Sequence, residues 1–135
     1  MALMTWSKEY SVDVPSIDRE HQKLFGMLNE LHDAMQVGKG SQIAPEVLKR
    51  LVAYTCEHFA NEESIMVRAH YPNFAGHKVE HDKLTSEVGK IVQDFNEGKV
   101  VLSMKLLEFL RTWLQTHIRG CDRQYSRHLQ AAGIH

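Results

Sequence analysis

Apolar side chains recur every three to four positions through most of this chain, and short polar breaks interrupt the pattern. Leu24, Phe25, Leu28, Leu31 and Met35 line one face of a first helix, capped at Ser16 or Asp18 and ended by Gly38-Lys-Gly40. A second stripe starts near Ser41, tolerates Pro45 in its first turn, and runs through Val47, Leu48, Leu51, Phe59, Ile65, Met66 and Ala69 to Tyr71-Pro72-Asn73. The third carries Leu84, Val88, Ile91 and Phe95 up to Asn96-Glu97-Gly98. The fourth carries Leu102, Leu106, Leu107, Leu110, Trp113, Leu114 and Ile118 up to Gly120. No segment alternates with the period of a strand.

Four amphipathic helices joined by short turns pack most simply as an all-α, antiparallel up-down-up-down four-helix bundle. The expected divisions of a single domain are an N-terminal arm, 1–16, with Trp6, Tyr10, Val12, Val14 and Pro15; a bundle, 17–118; and a short C-terminal helical segment, 119–135, lying across it.

Polar residues intrude on every stripe. His21 is in line with Leu24 and Leu28, His58 and Glu62 with Leu51 and Ile65, His77 and His81 with Leu84 and Val88, and His117 lies beside Trp113 and Leu114. Residues four apart project from one face about 6 Å apart along the axis, so His58 with Glu62, and His77 with His81, can converge on one centre. Depth gives a second test, because two residues at the same level of an antiparallel pair have their midpoint at the connecting turn. The midpoint of His21 and His58 falls at Lys39–Gly40, those of His58 with His81 and Glu62 with His77 at Ala69–His70, and those of His77 and His81 with His117 near Gly98. All six therefore meet in one layer. Asp122, five after His117, points away on a continuing helix and returns to the layer only with a break near Gly120.

A single core histidine is more often a hydrogen-bonded structural residue than a ligand. Several at one level are different, since each buried polar group without a partner costs about 1–3 kcal/mol. A metal centre satisfies them together. Imidazole suits zinc, copper, nickel and iron, and this many donors exceed one tetrahedral zinc and suit two ions. The Glu-x-x-His pairs of carboxylate-rich di-iron bundles are missing.

Composition narrows the classes further. With 135 residues, 43% hydrophobic, the chain supports one domain. A formal charge of -1, with no basic block, argues against a nucleic-acid or anionic-membrane partner. The absence of a leader-like start or a long apolar run predicts a cytoplasmic protein outside the membrane. Cys56 and Cys121 form no C-x-x-C pair and are expected to be free thiols.

The residues resemble the hemerythrins, most closely single-domain bacteriohemerythrins. The likeness covers nearly the whole chain: the Trp6 arm, "SVDVPSIDREH" ending in His21, "HFANEE" with His58 and Glu62, "HKVEH" with His77 and His81, and "HIRGCD" with His117 and Asp122. All seven ligand positions of the family are filled. The resemblance implies two non-haem iron ions with a solvent-derived oxo or hydroxo bridge that bind dioxygen reversibly, for storage, delivery or sensing. One iron is then held by His77, His81 and His117 and the other by His21 and His58, with Glu62 and Asp122 bridging and an open position on the second. It also implies a dioxygen pocket walled by Leu24, Phe59, Trp113, Leu114 and Ile118, all of which are equally core-packing residues of a bundle. A di-iron enzyme acting on peroxide, nitric oxide or ferrous iron, and a purely structural metal bundle, are the alternatives. Sensing or delivery calls for a protein partner not identified from sequence.

Asp13 departs from the family, which often has glycine there. His32, about 16 Å along the axis from His21, is too far to join the layer. His70, His128 and His135 are expected at the surface or as caps, Glu63 in solvent, Cys56 facing away from His58, and Cys121 as a bystander thiol.

Overall fold

Pro15 opens the first helix of the computed structural model, which describes residues 3–99, 103–118 and 125–133. The element order is α1 (Pro15–Gln36), α2 (Gly40–Arg68), α3 (Phe74–Asn96), α4 (Met104–Thr116) and α5 (Ser126–Ala131), after a short 3₁₀ turn at Lys8–Tyr10. α1 lies beside α2 and α4, and α2 beside α3, giving the antiparallel four-helix bundle expected from the stripes.

The helix starts differ in detail from the sequence reading. Val14, extended, occupies the cap, and Pro15 takes the first turn, where a missing N–H costs nothing and φ is already helical. Asp18 is not the cap. Its carboxylate accepts from Ser11 Oγ at 2.6 Å and from the Val12 amide at 2.9 Å, tying the arm to α1. α2 begins at Gly40, so Pro45 sits in the second turn rather than the first. The exposure of Pro45 and Ser41 leaves the carbonyl that would have paired with the proline nitrogen to solvent.

Left-handed residues close the turns. After α1, Gly38 has φ 75°, and the Lys39 amide reaches back to Ala34 O at 2.8 Å, a Schellman closure. After α2 the same closure uses His70 at φ 55°, with the Tyr71 amide on Met66 O at 3.0 Å.

The core has two clusters. The larger joins Leu24, Phe25, Leu28, Leu31, Leu48, Leu51, Phe59, Leu107, Leu110, Trp113, Leu114 and Ile118, with Met4 and Tyr10 of the arm. The smaller joins Val12, Val14, Ile17, Met66 and Ala69 to Tyr125 and Leu129, so α5 covers one end of the bundle. There His128 Nε2 donates to Ala69 O at 2.6 Å, capping α2, and Gln130 donates to Asp13 O at 3.2 Å. Among the described residues no helix is long and apolar enough to cross a membrane.

Candidate metal centre

Between the two clusters lies a polar layer. His21, His58, Glu62, His77, His81 and His117 are all buried. They come from α1, α2, α3 and the end of α4, where the backbone widens into a π turn at His117 and Ile118. The i, i+4 pairs stack on their own helices as the 3.6-residue repeat requires. The α1–α2 and α2–α3 turns that set the level are short and close on left-handed residues.

Glu62 is the hub. Its Oε1 has His58 Nε2 at 2.7 Å, His117 Nε2 at 3.1 Å and His81 Nε2 at 3.6 Å. Tyr125, fully buried, donates its phenol to the other oxygen, Oε2. Burial pushes the Glu62 carboxyl up, but the charges of His58 and His117 and their hydrogen bonds outweigh it and hold the group well below the carboxylate range. The group is therefore an anion, the form that binds metal.

Among the described residues, potential ligand atoms fall into two sets, each with all its atoms within 4.8 Å of one another: His21, His58, Glu62 and His117, and Glu62, His77 and His81. Glu62 belongs to both. His117 groups here with His21 and His58, whereas the expected partition pairs it with His77 and His81. Its ring centroid is 5.6 Å from that of His58 and 5.2 Å from that of His81, so it stands between the halves. Asp122 and Cys121 lie outside the described residues, as does His135.

The donor set fits metal ions. His58 Nδ1 donates to Glu20 Oε1 at 2.6 Å, which turns Nε2 toward Glu62 as the remaining ligand atom. His81 does the same through Nδ1 to Glu63 Oε2 at 2.8 Å. An imidazole whose far N–H is held by a carboxylate is oriented and made more basic for a metal. Burial raises the Glu20 carboxyl, but hydrogen bonds from His58 and Asn61 lower it further, and the net direction is down.

Three residues here were missed by reading the stripes. Glu63, expected in solvent, is instead bound to His81 because a residue one step round α2 from Glu62 faces the α2–α3 seam. Glu20 occupies the corresponding place at the α1–α2 seam. The depth rule extended to stripe neighbours puts both at the level of their partners, since Glu20 with His58 centres on Lys39 and Glu63 with His81 on Pro72, but does not fix which way they turn. Tyr125 carried no sequence signal, because its position depends on how the C-terminal segment returns.

Leu24, Phe59, Trp113, Leu114 and Ile118 are buried in the larger cluster. Phe59 stacks on His81, with centroids 3.9 Å apart and planes 4° from parallel. Trp113 Nε1 donates to Leu84 O at 3.0 Å, which satisfies its N–H inside the core. His32 is buried at the other end of α1 and pairs with Gln36 at 3.2 Å, apart from the layer. Cys56 is exposed and free.

Residues 12–129 match the family model described as the hemerythrin HHE cation binding domain. The chain is 37% identical to a bacteriohemerythrin of Methylococcus capsulatus over 132 residues, covering 97% of this chain and 100% of that one. A bacteriohemerythrin of Stenotrophomonas maltophilia is 36% identical, with 97% and 84% covered. A crystal structure of wild-type hemerythrin superposes with a TM-score of 0.86 at 36% identity, covering 95% of this chain and 98% of that chain.

Proposed function

Because the chain belongs to the hemerythrin HHE cation-binding family, we propose that it binds dioxygen reversibly at a non-haem di-iron centre, as a cytoplasmic oxygen store, carrier or sensor element rather than an enzyme. The ligands in this reading are His21, His58, Glu62, His77, His81, His117 and Asp122. The observation that carries it is Glu62: one buried carboxylate shared by two donor sets, as a bridge between two ions requires.

Asp122 is counted on the likeness of "HIRGCD" to the family's ligand motif, in which it fills the seventh position. The reading keeps residues 1–16 as arm, 17–118 as bundle and 119–135 as closing segment.

Held by these ligands, an iron pair would supply the electrons for binding the gas. This chain's residues supply everything else. Glu20 and Glu63 hold the ligand rings in one tautomer, and Tyr125 holds Glu62 in one rotamer. Leu24, Phe59, Trp113, Leu114 and Ile118, as pocket walls, keep the site dry. Exclusion of water and of proton donors would favour release of the gas unchanged over oxidation of the site.

The test is anaerobic reconstitution with ferrous iron, then repeated admission and removal of oxygen. Two irons per chain and a visible charge-transfer band that appears and disappears over several cycles are expected. Sustained oxygen consumption with added ferrous iron, or a single irreversible bleach, contradicts reversible binding.

A further inference from the structure

Among the described residues the two donor sets are unequal. The His21–His58–Glu62–His117 set already brings four ligand atoms within 4.8 Å of one another, while the Glu62–His77–His81 set brings three. A preassembled set loses less conformational freedom on binding and so binds more tightly.

The carboxylates behind the histidines are unequal in the same direction. Glu20, on His58 Nδ1, takes its second hydrogen bond from the neutral amide of Asn61 at 2.9 Å. Its charge stays undiminished and strengthens His58 as a donor. Glu63, on His81 Nδ1, has the Lys78 ammonium 3.5 Å from its other oxygen. That cation, shared with Asp82 at 3.2 Å, offsets part of the negative charge that makes His81 basic.

We propose that the centre fills in order: the His21–His58–Glu62–His117 half first and the Glu62–His77–His81 half second. Glu20 and Glu63 are the positioning residues for each half, and Lys78 weakens the second. This rests on the dinuclear reading above. His117 lies between the halves, so filling the second half can draw it across to His77 and His81 without moving Glu62.

The probe is cobalt(II), titrated into the metal-free protein at low salt without oxygen and followed by its visible bands. Proton NMR follows the shifted exchangeable Nδ1–H signals, assigned with Glu20→Gln and Glu63→Gln. Two steps of one ion each are expected, with the His58 signal shifting in the first and the His81 signal in the second. Glu20→Gln is expected to weaken the first step by about 10–100-fold, and Glu63→Gln the second alone by a similar factor. Lys78→Gln is expected to strengthen the second step by about two- to fivefold, an effect that high salt erases and Lys78→Arg does not produce.

Simultaneous shifts, or His81 before His58, would overturn the order while leaving the dinuclear reading intact. Saturation at one cobalt per chain would overturn both. Circular dichroism melts check that each variant folds; if one does not, the order of the two signals in the unaltered protein decides.

Discussion

The phenol of Tyr125 and the carboxylate of Glu62 are joined by a buried hydrogen bond on Oε2, which leaves Oε1 to the imidazoles of His58, His117 and His81. The two residues are 63 positions apart in sequence, and the C-terminal segment meets the hub of the polar layer through this contact. Tyr125 also stacks against His77, with centroids 5.3 Å apart. Tyr125→Phe keeps the stacking and removes the donor. A loss of about tenfold in metal affinity is expected, read by competition with a chelator, with a stability loss of about 1–2 kcal/mol in chemical denaturation.

Glu62→Ala removes the group that, among the described residues, is common to both donor sets. Iron retained after reconstitution should fall well below the level of the unaltered protein, as measured by metal analysis. Metal should also raise the melting temperature of the unaltered chain, because ions bind the folded layer and not the unfolded chain. Equal iron content in the variant would show that the hub is misassigned.

The pocket walls are tested most gently with Ile118→Val. Loss of one methylene from a buried site costs about 0.5–1.5 kcal/mol, so the fold survives. The oxygenated form should oxidise several-fold faster as water gains entry, followed as decay of its visible band. An unchanged lifetime removes Ile118 from the pocket.

Acid should destabilise the metal-free protein through Glu62. Against the upward push of burial, its carboxyl is held well below its ordinary value of 4.5 in the folded state by the charges of His58 and His117 and their hydrogen bonds. Its contribution is therefore fully present above the unfolded pKa and is lost as pH falls from about 4.5 toward the folded value. Denaturation midpoints measured from neutral pH downward should drop in that window, and Glu62→Gln should flatten this part of the curve.

Asp13 has φ 59°, the left-handed region in which a Cβ is disfavoured. Its amide donates to Ser11 Oγ at 3.0 Å, which holds the turn open for Asp18. Asp13→Gly relieves the strain and should raise stability by about 0.5–1 kcal/mol in denaturant titrations, with metal content unchanged.

The hydrophobic period by itself determined the four helices, their antiparallel order and the level at which His21, His58, Glu62, His77, His81 and His117 meet. Those features follow from the rise and repeat of a helix and from the shortness of the turns, which are local properties. Only the tertiary structure decided which oxygen of Glu62 faces the imidazoles, that Glu20 and Glu63 turn inward to His58 and His81, that His117 stands between two donor sets, and that Tyr125 closes over the hub. Those depend on the rotation of each helix about its axis and on side-chain rotamers. They are settled by packing between segments far apart in the chain, which no periodicity along one segment records.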